Sequence, residues 1–393
     1  MVAGQVQTRS TYVWIFWLAA YIIISAIAIL SAPEWLVAQS LSLKDFESLN
    51  AVEKTTAITS ARQVVLFASG GLLAAFTLTL TQRRDAVARA SHEIDRDANW
   101  TNRYTEAVKQ LGDQQAAVRY GGIYALGRIA EDSQRDRITI VEVLTAYIRE
   151  ESPRLEVDAD ILAPYPAATS IAALRTIGKL TRLKPSMNTP LSLNATNLRG
   201  ASLKSTYLVN TDFSDTRLDG SNFSRADLGG SSFDGAVLTV ADFFRSQLVE
   251  SQFRGAVLQH ANFTGANLDQ SDLTNAAAAH MRLSGGRAVS ATFAGADLRA
   301  AVLAGANLTT AIFRESNLEA CEAQDADMTK ADFRGANLSG AQFQGAIFRG
   351  ADMRGITTHS TDFSGADFRG AKLDRKKADL GYIAGAKFDS HIS

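Results

Sequence analysis

From Leu193 to Phe388 a bulky apolar residue falls on every fifth position with few exceptions, through forty positions without an insertion or deletion. Neither the 3.6-residue period of an amphipathic helix nor the two-residue period of a strand accommodates this pattern. A period of five marks a repeating unit. Only a chain that turns in step with that unit can gather its apolar positions into one core.

With the bulky position taken as the centre of each unit, the forty centres comprise eighteen leucines, fourteen phenylalanines, two methionines and one isoleucine. The small exceptions are Ala278, Ala288, Ala323, Ala378 and Thr358. Two residues before the centre stands Ala, Ser, Thr, Cys or Gly in thirty-six units, the exceptions being Leu191, Met281, Ile356 and Lys376. Each unit thus sends one large and one small side chain inward and leaves the others to water. Glycine follows two residues after the centre in seventeen units, as at Gly335 and Gly340. That suits a tight turn after each short extended piece.

Read every twentieth residue, the centres sort by type. Leu193, Phe213, Phe233, Phe253, Leu273, Phe293, Phe313 and Phe333 form one column, and Leu203, Phe223, Phe243, Phe263 and Leu283 another. Leucine columns, such as Leu198-Leu218-Leu238-Leu258, run between them. A four-unit period predicts four faces per coil, with coils stacked at the strand spacing into a rod about 48 Å long. Alternating large columns keep the packed volume balanced layer by layer.

The units, among them ADLGG, ANFTG, ANLDQ, ADFRG, ANLSG and ADMRG, resemble those of the pentapeptide-repeat proteins over residues 191–390. The segment TEAVKQLGDQQAAVRYGGIYALGRIAEDS at 105–133 resembles the helical region before the repeat in bacterial membrane-anchored members. The resemblance implies a right-handed quadrilateral β-helix of about ten coils. It carries little about activity. Within the repeat, Ala278 and Ala288, with Met281 and Gly286 intruding, predict a thin coil with a bulge or shallow groove near 276–290. Lys376 on an inward position predicts a frayed last coil.

The amino-terminal part reads differently. Thr11 to Leu30 is an uncharged run of twenty residues with Tyr12, Trp14 and Trp17 near its start. At 1.5 Å per residue it is about 30 Å long, enough for a hydrocarbon core. A signal peptide competes, since Ala26-Ile27-Ala28 offers a small-residue cleavage site. Val64 to Leu80 is a second apolar run, bracketed by Arg62 and by Arg83 and Arg84. Its Gly70-Gly71 pair would let another helix approach closely. Arg9 before the first run, and Arg83, Arg84 and Arg89 after the second, put both ends of the chain in the cytoplasm by the positive-inside rule. The expected location is a multi-pass bacterial inner (plasma) membrane protein.

Residues 82–190 read as a HEAT-like α-helical connector. Val118, Ala125, Leu126 and Ile129 share a side; Ile138, Val141, Leu144 and Ile148 repeat the pattern; Ile171, Leu174 and Ile177 mark a third helix. Pro164-Tyr165-Pro166 marks a loop, Pro185 to Pro190 the boundary to the repeat, and residues around 168–190 a cap on its first coil. Tyr104, Lys109, Arg119, Tyr120 and Arg128 line a binding face or are simply solvated. The expected fold is thus a two-helix transmembrane hairpin, a small α-helical connector and a quadrilateral β-helix. Its segments are 1–10 cytoplasmic tail, 11–30 first span, 31–61 extracytoplasmic loop, 62–81 second span, 82–190 connector and 191–393 repeat.

Composition narrows the function. Forty basic residues against 41 acidic ones create no global field toward nucleic acid. Mimicry of DNA, implied by the resemblance for members that protect topoisomerases, needs a strongly negative rod, yet residues 191–390 hold 22 acidic and 20 basic side chains. An enzyme or a metal protein is the other alternative. His260 and His280 stand one coil apart, but Gln270 and Asn275 add no firm third ligand. Cys321, the only cysteine, sits on a small inward position. The pattern assigns no catalytic, cofactor-binding or metal-ligating residue, and no cofactor. The reading that remains is a non-enzymatic, membrane-anchored scaffold or protein-interaction module displaying a cytoplasmic β-helix rod. Its expected partners are the lipid bilayer and an unidentified protein, with no nucleic acid. Arg314, Arg334 and Arg354, twenty residues apart, form its candidate protein-interaction face. The apolar column Phe348, Phe368 and Phe388 forms a candidate homodimer end, through the C-terminal coil at residues 371–393.

Overall fold

The computed structural model describes residues 20–21, 23–24, 26–27, 37, 48–152, 167–183, 191–374 and 381–389. The chain divides into two compact units, Met1–Asn99 and Trp100–Ser393.

Helix α1 runs over Ala51–Leu111. Its start is written in Asn50 and Glu53. The Asn50 side-chain oxygen accepts from the Val52 and Glu53 amides at 3.1 and 2.9 Å, while Glu53 accepts from the Asn50 amide at 3.1 Å. That reciprocal pairing satisfies amides the helix itself leaves open. Within α1 the stretch Ala51–Gln82 is long and apolar enough to cross a membrane, with mean hydropathy 1.9 and none of its most apolar window buried.

Among the described residues this is the one such helix. The first expected span, 11–30, falls mostly outside them. A single candidate helix does not carry the expected two-helix hairpin or a multi-pass inner-membrane location with both termini cytoplasmic, and both readings are corrected here.

In the second unit, α2 (Ala116–Asp132), α3 (Arg137–Glu151) and α4 (Ala168–Leu183) pack together. Ile123, Leu126 and Ile129 of α2, Ile140, Val141, Leu144 and Ile148 of α3, and Leu174, Ile177 and Leu180 of α4 are buried. Ile138 is instead 43% exposed, and Ile140 takes the inward position in its place. The α2–α4 crossing is tight. A Cβ on Gly127 would stand 2.8 Å from a Thr176 methyl, so any larger residue there would have to displace Thr176. The buried Arg137 donates from Nε to the Ala130 carbonyl at 2.8 Å and from Nη2 to the Glu131 carbonyl at 3.3 Å. It thereby closes carbonyls that the end of α2 leaves open. Helix α4 lies on the first coil of the repeat: Thr181 donates to the Tyr207 carbonyl, and Arg175 to that of Ser202. The loop at Pro164–Pro166 and the boundary at Pro185–Pro190 lie outside the described residues.

From Ser192 onward the chain coils with a twenty-residue pitch. Parallel bridges pair each residue before a centre with the residue twenty further on, from Ser192–Asp212 to Asp367–Lys387. Each bridge is isolated, one residue long, and among the described residues no β-strand forms. The expected quadrilateral β-helix, a fold of strands, is therefore corrected, and the reading of the protein as a displayed β-helix rod goes with it. The cause is local. Two residues after nearly every described centre the backbone turns to positive φ, at Val240 (59°), His260 (58°) and Thr310 (59°) as readily as at glycine. A left-handed residue in each unit ends the extended run before a second bridge can form.

Inside the coil the centres from Leu193 to Met353, and Phe363 and Phe368 beyond them, are buried, and Phe213, Phe233 and Phe253 stack at centroid spacings of 5.0 and 4.8 Å. Several hydroxyls at the small inward positions bond the backbone, as Ser246 donates to the Phe243 carbonyl at 2.8 Å and Ser316 to that of Phe313 at 2.7 Å, whereas those of Thr211, Ser221 and Ser271 are buried without a partner among the described residues. The bulge expected near 276–290 is absent. Ala278, Met281 and Ala288 are each fully buried, and the bridges continue through Ala277–Asp297 and Arg282–Val302. Met281 is a large buried side chain in the same coil as these two alanines. The frayed coil expected at Lys376 lies outside the described residues.

Candidate functional site

The outward positions carry a second repeat, of hydrogen bonds. The Asp or Asn before a centre accepts the amide two residues on, as Asn222 does from Ser224 (2.9 Å) and Asp332 from Arg334 (3.2 Å). This explains the Asp/Asn preference at that position, which periodicity alone leaves unexplained.

On the face of Arg314, Arg334 and Arg354 the same aspartates also hold guanidinium groups. Arg314 donates from Nε to Asp332 at 2.7 Å, and Arg334 donates to both Asp332 oxygens, with Nη2 at 2.8 Å. Arg354 binds Asp352 in the same two-pronged way, at 2.8 and 2.6 Å. The three arginine side chains are 40–52% exposed, whereas Asp332 and Asp352 are 17% exposed. Burial opposes ionisation of Asp332, but the bonds from Arg334 and Arg314 outweigh it and hold the carboxyl down at about 2. The three arginines are thus gathered on one face as a paired ladder rather than a bare cationic row.

A second cluster of this kind went unread in the sequence. Arg349 donates to Asp367 at 2.7 Å, and Arg369 donates to both oxygens of the same carboxylate at 2.9 and 2.6 Å. Its Asp367 lies well below the usual carboxylate range, held there by the Arg369 bond against burial, with Arg349 adding to it. The signal was available: Arg, Asp eighteen residues on, Arg two later, repeats at 314/332/334 and 349/367/369.

A family model described as pentapeptide repeats matches eight copies within 192–225, 221–259, 251–287, 291–329 and 316–355. The coil is a pentapeptide-repeat domain. HetL, a pentapeptide repeat protein involved in heterocyst differentiation regulation in the cyanobacterium Nostoc, is 25% identical over 53% of this chain and 93% of its own, with a TM-score of 0.29. QnrB1, a plasmid-mediated fluoroquinolone resistance protein, is 20% identical over 51% of this chain and 92% of its own, with a TM-score of 0.27. Superpositions this loose carry no functional argument. No curated protein matches the chain.

In the pentapeptide-repeat domain Phe348 and Phe368 are fully buried and stack at 5.2 Å, with Phe388 continuing the column at 5.1 Å. The column is core. The exposed apolar side chains of the last described coil are Tyr382 and Ile383, at 69% and 43%. His260 and His280 stack with centroids 4.8 Å apart. Among the described residues no group of three or more His, Cys, Asp or Glu side chains is placed to hold a metal ion. Cys321 is buried, and burial pushes its thiol well above the ordinary range.

Proposed function

We propose that the pentapeptide-repeat domain is a non-catalytic binding surface for a protein partner, with Arg314, Arg334 and Arg354 as the contacting face. The observation behind this reading is the sharing of one carboxylate by two guanidinium groups. Arg314 gives only its Nε to Asp332, since that oxygen pair is already engaged by Arg334. The Arg314 side chain is nonetheless 52% exposed, so donors beyond Nε are offered to solvent, which favours a carboxylate-bearing partner surface. The filled interior supports a role without catalysis, because reaction chemistry needs a concave site where titratable groups converge. Residues 82–190 serve in this reading as the helical connector and 191–393 as the binding part.

Crosslinked capture from cell extract tests it, comparing the wild-type chain with Arg314→Glu, Arg334→Glu and Arg354→Glu combined. The expected outcome is loss of a specific protein from the captured set. An unchanged set rules this face out. For self-association through residues 371–393, Tyr382 and Ile383 are the contact side chains, and light scattering that finds the same mass for the wild type and a Tyr382→Ser, Ile383→Ser variant would dismiss it.

A further inference from the structure

We propose that the groove between α2 and α4 binds an acidic segment of a partner protein, anchored by one apolar or aromatic side chain. This site is separate from the Arg314 face and does not depend on it. The groove is a cavity of about 360 Å³ lined by Tyr120, Tyr124, Ile171, Ala172, Arg175 and Arg199, among others. Its wall is aromatic. The Tyr120 and Tyr124 rings stack with centroids 6.3 Å apart and planes 15° from parallel, and Tyr124 is 57% exposed. A large ring left that open beside an apolar floor is unusual on a packed helix and suits a seat for one inserted side chain.

The rim decides the charge of the occupant. Arg175 donates from Nε to the Ser202 carbonyl at 3.1 Å, which fixes its guanidinium at the edge of the groove. Arg128 stands one turn beyond Tyr124 on α2. Among the described residues neither Arg128 nor Arg175 has a carboxylate within salt-bridge reach, and two nearby acids, Glu131 and Asp219, are engaged elsewhere. Glu131 pairs with Lys179 at 2.5 Å, and Asp219 lies between Arg199 and Arg217 at 3.5 and 3.4 Å. Arg175 and Arg199 in the lining, with Arg128 one turn from Tyr124, make this aromatic seat complementary to a segment that presents Asp or Glu beside one large apolar residue. A nucleic-acid strand fits less well. It needs a continuous run of cations along its phosphates, and this rim offers two arginines around a cavity sized for one side chain.

The test is selection of a random displayed peptide library on the full chain in mild detergent, followed by fluorescence polarisation with the enriched, labelled peptides. Enriched sequences are expected to combine Asp or Glu with Leu, Phe, Tyr or Trp. Tyr124→Ala and Arg175→Glu, each checked for unchanged helix content, are expected to weaken binding by at least about tenfold. Arg334→Glu, on the other face, should leave it unchanged, so failure of the two proposed surfaces can be told apart. The proposal is overturned by neutral or basic enriched peptides, by wild-type binding in both groove variants, or by a single-stranded oligonucleotide that binds the groove more tightly than any peptide. It is also overturned if Glu156→Gln, Asp158→Asn and Asp160→Asn together raise peptide affinity about tenfold, since the chain's own acidic run would then be the occupant.

Discussion

Phe333 and Phe348 meet edge to face, with ring centroids 5.7 Å apart and planes 64° from parallel. They mark the level at which the aromatic core changes sides. Below it, Phe213, Phe223, Phe233 and Phe243 alternate between columns ten residues apart, in T-shaped contacts of 5.8–5.9 Å. Above it, Phe343, Phe348, Phe363 and Phe368 occupy neighbouring columns and meet at 5.2–5.7 Å. Phe348 touches rings on both sides of the switch. Phe348→Ala should therefore cost about 3–5 kcal/mol, the usual range for emptying a buried aromatic site. Phe388→Ala, which removes one stacked ring from a half-buried position, should cost clearly less. Urea unfolding midpoints check the order, and equal losses would contradict it.

Met281 and Ala278 share one coil, and the Met281 amide donates to the Ala278 carbonyl at 3.1 Å. Because Met281 is fully buried, Met281→Ala should destabilise by about 2–5 kcal/mol. Adding Ala278→Leu should restore a large part of that loss, although the same change in the wild type should overpack the coil. Purely additive effects in the double-mutant cycle would show that the two side chains do not share volume.

The same coil shows what could be read in advance. The five- and twenty-residue periods specify which residues stack, and the observed pairing of Asp212 with Ser232 and of Asp352 with Lys372 follows that register. The backbone state was less legible. Side-chain periodicity records which way a residue points, not φ, so the left-handed residue in each unit that limits pairing to single bridges was invisible. Met281 read as an intruder because the sequence does not show where its flexible chain goes. The Arg349–Asp367–Arg369 cluster was readable at a spacing of eighteen. The α2–α4 groove was not, since Tyr124, Arg175 and Arg199 come together only through tertiary packing. Arg119 shows the same limit: its guanidinium turns back onto the Asp113 and Gln114 carbonyls at 2.9 and 3.0 Å, rather than lining an open face.

Val240 occupies a left-handed conformation, φ 59°, while Gly200 and Gly220 fill the equivalent position in the two preceding coils at 66° and 65°. A β-branched residue there costs about 1–2 kcal/mol, against roughly 0.5–1 kcal/mol that glycine costs in chain entropy. The Val240 side chain is also 60% exposed, so little packing is lost on removing it. Val240→Gly should raise the unfolding midpoint by an amount equivalent to up to about 1.5 kcal/mol. A lowered midpoint would mean that this side chain is held by contacts that outweigh the strain.

The shared aspartates set the acid response. Burial works against the Asp332 charge, yet bonds from Arg334 and Arg314 bring its carboxyl to about 2, below the value of about 3.9 for an unfolded aspartate. A carboxyl depressed on folding stabilises the native state at pH above its unfolded value, and that contribution disappears as pH falls through the folded one. For Asp332 the loss should fall between about pH 4 and pH 2. Asp367, held down first by Arg369, should extend the loss in the same direction. Urea midpoints recorded from neutral pH downward should be flat until about pH 4 and then fall. Asp332→Asn together with Asp367→Asn should lower the neutral midpoint and flatten the acid limb. An acid limb as steep in this variant as in the wild type would move the acid sensitivity to other carboxylates.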